Sequence, residues 1–204
     1  MVDVAKFWSW VTISLSKENF DQIFSSPRFR HVNTVYFNLE RKLSELQMAT
    51  FFSGLEDSAL IDLSCNCVRL ASVDAETLGQ VVVKVKNVQM AMSSLTLHQV
   101  QVMFKAIADC EGIKLTHLNI CGNDLSQIPP SILAQAIVRL EEADMFLTRL
   151  TSVQVEAIVN SIILTSQRGG LKLKRLSIRK GDISTVSETT AQQVKRILRL
   201  FLWQ

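Results

Sequence analysis

The chain has 204 residues, 48% hydrophobic and 20% charged, with a net charge of +3, a globular composition large enough for one sizeable core. Its apolar runs, such as 162–164, fall far short of the roughly 18 residues that span a bilayer, so neither a transmembrane helix nor a membrane partner is expected. Four cysteines are too few for a disulfide scaffold. Asp3, the polar residues within Phe7–Leu15 and the lack of an A-x-A-like site argue against a secretory signal, so a cytoplasmic location is expected.

In chain order, Phe7, Trp8 and Trp10 crowd a first strand whose apolar positions are Trp8, Val11 and Ile13, and residues 1–30 are expected to form an irregular N-terminal cap. Val32, Val35 and Phe37 mark a second strand. After Leu43, Met48, Phe51, Phe52 and Leu55 stand at i, i+3, i+4, i+7, the stripe of a helix. Ser58–Val68 then gives S-x-x-I-x-L-x-x-N-x-V, and Val85–Leu95 gives V-x-x-V-x-M-x-x-S-x-L. The helical stripe returns at Val100, Met103, Phe104 and Ile107, and the strand frame at Leu115–Leu125 as L-x-x-L-x-I-x-x-N-x-L. Pro129-Pro130 suits a first helical turn. Leu140–Leu150 repeats the frame with Ala143, Met145 and Thr148; a helix on Val155, Ile158, Val159 and Ile162 follows, and Gly169-Gly170 suits its end. Leu173–Ile183 supplies the last frame. Val194, Ile197, Leu198, Phe201 and Leu202 form a final helical stripe beside Trp203, so residues 184–204 are expected to be a C-terminal helix that covers the open end or self-associates there.

Inner strand positions at Ile13, Phe37, Leu63, Met90, Ile120, Met145 and Ile178 follow one another at 24 to 33 residues. Alternate units share more than neighbours do. Leu95–Val100 and Leu150–Val155 read L-T-x-x-Q-V, with 43–48 a close variant, whereas 125–128 and 183–186 read L-S-x-I or I-S-x-V, with Leu70–Val73 a variant displaced by two residues. The frame L-x-x-L-x-L-x-x-N-x-L is the signature of leucine-rich repeats, and the alternation resembles their ribonuclease-inhibitor-like class, as in repeat domains of NOD-like receptors and F-box adaptors. The resemblance spans nearly the whole chain and is strongest over 58–183. It implies a single α/β domain over residues 1–204: a right-handed β/α solenoid, a horseshoe segment of about seven repeats, with parallel strands concave and helices convex.

No catalytic constellation stands out. There is no G-x-x-x-x-G-K-[ST], no G-x-G-x-x-G and no G-x-S-x-G. His31, His98 and His117 fall in different repeats, and His117 has no carboxylate at plausible spacing in the chain. Glu142 and Asp144, alternating with Ala143 and Met145, are expected to be outward strand residues without an acid/base partner. Cys65 and Cys121 are expected to be equivalent positions of related repeats, and no cysteine–histidine spacing matches a zinc site. Neither a metal nor another cofactor is expected.

Period-2 alternation instead builds an interaction face from Tyr36 and Asn38, Asp62 and Ser64, Gln89 and Ala91, His117, Asn119 and Cys121, Glu142, Asp144 and Phe146, and Arg175, Ser177 and Arg179. The expected function is non-catalytic binding of a protein partner, as inhibitor, sensor or adaptor. Nucleic-acid binding is the alternative. From Arg168 onward there are nine basic and two acidic residues, against 13 and 17 before it, and the cluster at Lys172, Lys174, Arg175, Arg179 and Lys180 would give salt-sensitive, non-specific affinity.

Overall fold

The structure is a computed structural model that describes residues 12–26, 29, 31–37, 43–55, 58–178, 186–198 and 200–203. Asn38, Arg179, Lys180, Trp8 and Val11 of the sequence-based expectations lie outside the described residues. Strands and helices alternate along the chain. The strands are β1 (Thr12–Leu15), β2 (Thr34–Phe37), β3 (Asp62–Ser64), β4 (Asn87–Gln89), β5 (His117–Asn119), β6 (Glu142–Asp144), β7 (Arg175–Ile178) and β8 (Leu200–Trp203). The helices between them are α1 (Phe20–Phe24), α2 (Glu45–Ser53), α3 (Ala75–Lys84), α4 (Leu97–Asp109), α5 (Pro130–Ile137), α6 (Ser152–Gln167) and α7 (Glu188–Ile197). All eight strands form one sheet in sequential order, and every pairing is parallel.

Strands β2 to β7 contribute an aligned row of buried residues, Val35, Leu63, Val88, Leu118, Ala143 and Leu176. Two residues further on, Cys65, Met90, Ile120, Met145 and Ile178 form a second buried row. The expected helical stripes face these rows: Met48, Phe51, Phe52 and Leu55, then Val100, Met103, Phe104 and Ile107, then Val155, Ile158, Val159 and Ile162 are buried.

This register corrects the third frame by two residues. Leu63 aligns with Val88, so Cys65, and not Leu63, stands level with Met90 and Ile120. Ile61, taken as an inner position, is 41% exposed, while Leu60 and Cys65 are buried. Cys65 is therefore not the equivalent of Cys121, which points to the other face. The slip was invisible in the apolar pattern because a two-residue shift keeps every side chain on its own face of a strand. With the register restored, Leu70–Val73 falls in step with Leu125–Ile128. The short repeats become uniform: Cys65 to Met90, Ile120 to Met145 and Ile178 to Trp203 each advance by 25 residues.

The C-terminus differs from the expected terminal helix. α7 stops at Ile197, Leu198 turns extended (φ −90°, ψ 133°) and 200–203 pair along β7. The run Leu-Phe-Leu-Trp suits a pleated surface, and pairing satisfies the backbone groups along one side of β7 that a terminal helix would leave open. Phe201 and Leu202 fit the helical spacing by coincidence.

The two repeat types have a physical cause. In each L-T-x-x-Q-V repeat the hydroxyl and the glutamine form a reciprocal capping box: Thr96 with Gln99 before α4 and Thr151 with Gln154 before α6, as Ser44 and Gln47 do before α2. The same glutamines reach back into the preceding repeat. Gln99 Nε2 donates to the carbonyls of Leu70 (2.7 Å) and Val73 (2.6 Å), and Gln154 Nε2 to those of Leu125 (2.7 Å) and Ile128 (2.7 Å). Both amides are buried, so each clamps the L-x-x-I/V turn of its neighbour. Accordingly α3 packs most closely on α4 and α5 on α6.

A second polar ladder runs under the strands. Buried Asn123 donates to the Met90 (2.7 Å) and Ile120 (3.0 Å) carbonyls. At the aligned positions Ser93 Oγ donates to Cys65 O (2.6 Å) and Thr148 Oγ1 to Met145 O (2.7 Å). Each keeps a buried carbonyl satisfied. Just before this ladder Cys67, Met92, Gly122 and Leu147 share positive φ, so these four repeats make the same left-handed turn.

Gln154→Ala takes the amide from the buried Ile128 carbonyl and leaves Leu125 O only the Ile128 N–H, and it is expected to lower stability by about 2 kcal/mol. Gln47→Ala, whose back-bond to Lys17 O is long (3.4 Å) and exposed, is expected to cost less than about 1 kcal/mol. Urea titration of the two variants checks the difference, and equal losses would contradict the clamp.

Candidate interaction face

The face of the sheet opposite the helices carries side chains in rows set by the strand register. Thr34, Asp62, Asn87, His117, Glu142 and Arg175 form one row, and Tyr36, Ser64, Gln89, Asn119, Asp144 and Ser177 the next. A third begins two residues on with Asn66, Ala91, Cys121 and Phe146, since alternate residues share a face. Apart from Thr34 and Ser177, the first two rows line an open trough of about 470 Å³ from Tyr36 to Arg175, with Lys86 also lining it. Tyr36 is 46% exposed, an aromatic left in water at one end.

Neighbouring strands lie about 4.8 Å apart, so residues level in a row interact directly. Thr34 Oγ1 donates to Asp62 Oδ2 (3.2 Å) and Asn87 Nδ2 to Asp62 Oδ1. Glu142 lies between His117 Nε2 (3.5 Å) and Arg175 Nη1 (3.6 Å). His117 Nδ1 meets Thr116 Oγ1 at 2.7 Å, and that hydroxyl also lies 3.2 Å from Lys86 O. This corrects the expectation that His117 and Glu142 lack each other: 25 residues apart in the chain, they are level on adjacent strands. Both are half-exposed, so the pair adds little stability and serves to orient the ring.

In the second and third rows Asn66 Nδ2 donates to Gln89 Oε1 (3.0 Å), and its Oδ1 accepts from the Ala91 N–H (2.8 Å). Asp144 Oδ1 accepts from Cys121 Sγ (2.9 Å) and the Phe146 N–H (3.3 Å). Burial and the adjacent Asp144 carboxylate push the Cys121 thiol up to about 12, so it is a hydrogen-bond donor and a poor nucleophile near neutrality. Burial alone raises Cys65 well above the ordinary value. Beside the trough, the Lys174 ammonium at 2.6 Å holds the Glu141 carboxyl below the usual range.

Of the residues expected on this face, Tyr36, Asp62, Ser64, Gln89, His117, Asn119, Glu142, Asp144 and Arg175 converge on the trough. Phe146 stands in the third row, half-buried. Ser177 is the exception. It is only 6% exposed although it stands level with Asp144, and its strand is interior to the sheet, since β8 pairs along β7. Lys86 and Asn87 line the trough unforeseen. Asn87 was signalled by its place two residues before Gln89, which puts both on one face.

Among the described residues no group of three or more His, Cys, Asp or Glu could hold a metal ion, and no helix is long and apolar enough to cross a membrane. The chain matches no protein-family profile, and comparison with curated proteins finds no match.

The thiols give a direct test. Exposed Cys67 is expected to alkylate first, with Cys65 and Cys121 slow at pH 8, and Asp144→Asn, by removing the charge that holds the proton, to speed Cys121 alkylation. Site-resolved mass spectrometry reads both. The folded state holds the Cys121 proton up to about 12 against an ordinary 9.0. Its contribution to stability is therefore constant below about pH 9 and falls as pH rises above it, which alkaline urea titrations with and without Cys121→Ala would reveal.

Proposed function

We propose that this chain is a leucine-rich-repeat module of the ribonuclease-inhibitor-like class. On this reading it acts in the cytoplasm and binds a protein partner, without catalysis, through the helix-free face of its sheet. The observation that carries the reading is the six-strand trough, in which polar side chains from successive repeats stand in register with no element of the described chain laid over them. Its lining is mostly polar and its shape open, unlike the concave, largely apolar sites that enclose small ligands. Exposed Tyr36 and half-buried Phe146 add the aromatic contacts enriched at protein interfaces. Support for the repeat class comes from Asn123, whose buried amide holds the carbonyls of two adjacent strands' ends. The alternating glutamine clamp supports it as well.

Nucleic-acid binding is the weaker reading. Lys174 and Arg175, two members of the basic cluster, are paired with Glu141 and Glu142, and Asp62, Glu142 and Asp144 place negative charge along the trough.

The test is affinity capture with the native chain beside a variant carrying Gln89→Arg, Asn119→Arg and Phe146→Ala. These changes lie on the exposed face, and circular dichroism should show the fold unchanged. The native chain is expected to retain a protein partner that the variant loses at least tenfold, a loss of about 1.4 kcal/mol in binding. Equal retention by both would move the site to the helices or to the edge at β8. Retention only of nucleic acid, released steeply by salt, would overturn the protein-binding reading.

A further inference from the structure

The charges of the face are not evenly matched. Glu142 is shared between His117 and Arg175, and Glu141 is taken by Lys174. Asp62 and Asp144 differ: their hydrogen bonds come from the neutral donors Thr34, Asn87, Cys121 and the Phe146 N–H. Among the described residues neither has a Lys, Arg or His nitrogen within 4.0 Å. Neutral donors fix the direction of a carboxylate without cancelling its charge. Each also has an aromatic side chain nearby on the same face: Tyr36 lies diagonally across from Asp62 on the adjacent strand, and Phe146 two residues beyond Asp144. A carboxylate beside an aromatic ring is suited to a Lys or Arg side chain, whose head pairs with the charge while its stem or its cation lies against the ring.

We propose that the partner lays an extended basic segment across this face, with one Lys or Arg received at Asp62 and Tyr36 and a second at Asp144 and Phe146. This rests on the protein-binding reading above and specifies its ligand. The two carboxylates are three strands and two residues apart, roughly 16 Å from strand spacing and rise. An extended chain covers that in four or five residues, and only an even separation puts both side chains on one side of it, so the two cations stand at i and i+4. Between them Ser64, Gln89 and Asn119 offer donors and acceptors, which an extended backbone, with its N–H and C=O groups free, can use and a helix cannot.

The experiment titrates the full chain with fluorescent peptides that carry two lysines on a glycine–serine background at separations from two to eight positions, beside matched diglutamate peptides. Affinity is expected to peak at a separation of four. Asp62→Asn and Asp144→Asn, which keep side-chain shape, are each expected to weaken binding about tenfold, the loss of one charge-assisted contact. Tyr36→Ala should weaken it several-fold, which keeps the test alive should an Asp variant lose its circular dichroism signature. A flat dependence on separation, equal binding of the diglutamate peptides, or indifference to both Asp variants overturns the proposal. Asn119→Arg separates the two layers. If some other peptide class is lost in Asn119→Arg yet ignores Asp62→Asn and Asp144→Asn, the face stands and its basic ligand falls. If binding survives Asn119→Arg too, both fall.

Discussion

The fold depends on a small set of buried amides that join one repeat to the next. A strand–helix unit of this size cannot bury its apolar stripe alone, and stacking in one dimension makes stability a sum of units and interfaces. Apolar contacts fix which face points inward but only loosely fix how far one unit is slid along the next. Gln99 and Gln154 remove that freedom. Each closes its own helix N-terminus and, through the same side chain, holds two carbonyls of the preceding turn. Moving one turn past the other would take the amide from the Val73 and Ile128 carbonyls in a dry interior and leave Leu70 and Leu125 only their local N–H partners, at a cost of about 1–3 kcal/mol for each orphaned group. The interface is therefore a matched fit, and repeats come in pairs: α3 with α4, α5 with α6.

The exposed face follows from that fit. Rows such as Asp62, Asn87, His117, Glu142 and Arg175 exist only because successive strands are level. Asn123 and Ser93, beneath the strand ends, reach carbonyls of the preceding repeat and secure the same alignment. Side chains that meet across strands then orient one another, as Glu142 does for His117 and Arg175, or Asp144 for Cys121. A surface held in this way presents its groups with little entropy left to lose on binding, which favours recognition by an unmoving face.

Much of this was legible in the sequence because period-2 and period-3.6 patterns report face and element type directly. Leu118, Ile120, Met145 and the stripe from Val100 to Ile107 sit as the spacing implies. Register was harder. The two-residue slip at Leu63 left Asp62 and Ser64 on the correct face while misplacing Cys65, since sidedness carries no information about even shifts. Contacts between rows could not be read either: His117 and Glu142 meet only because the connection through α5 returns the chain to level, and no local signal encodes that. At the C-terminus, Phe201 and Leu202 obeyed a helical spacing while tertiary pairing with β7 decided the strand. The burial of Ser177 carried no signal in the alternation that placed it on the outer face.

The most direct test of the clamped-repeat account is residue-resolved hydrogen exchange on the native chain and on Gln99→Ala with Gln154→Ala. Exchange is expected to rise first at the turn amides of Val73 and Ile128, whose turns lose the glutamine amide that holds them. It then spreads to Cys65, Met90 and Ile120, which bond to the adjacent strand, while amides inside α4 and α6 stay protected longest. Unchanged protection at the turns, or a uniform rise across helices and strands alike, would contradict it.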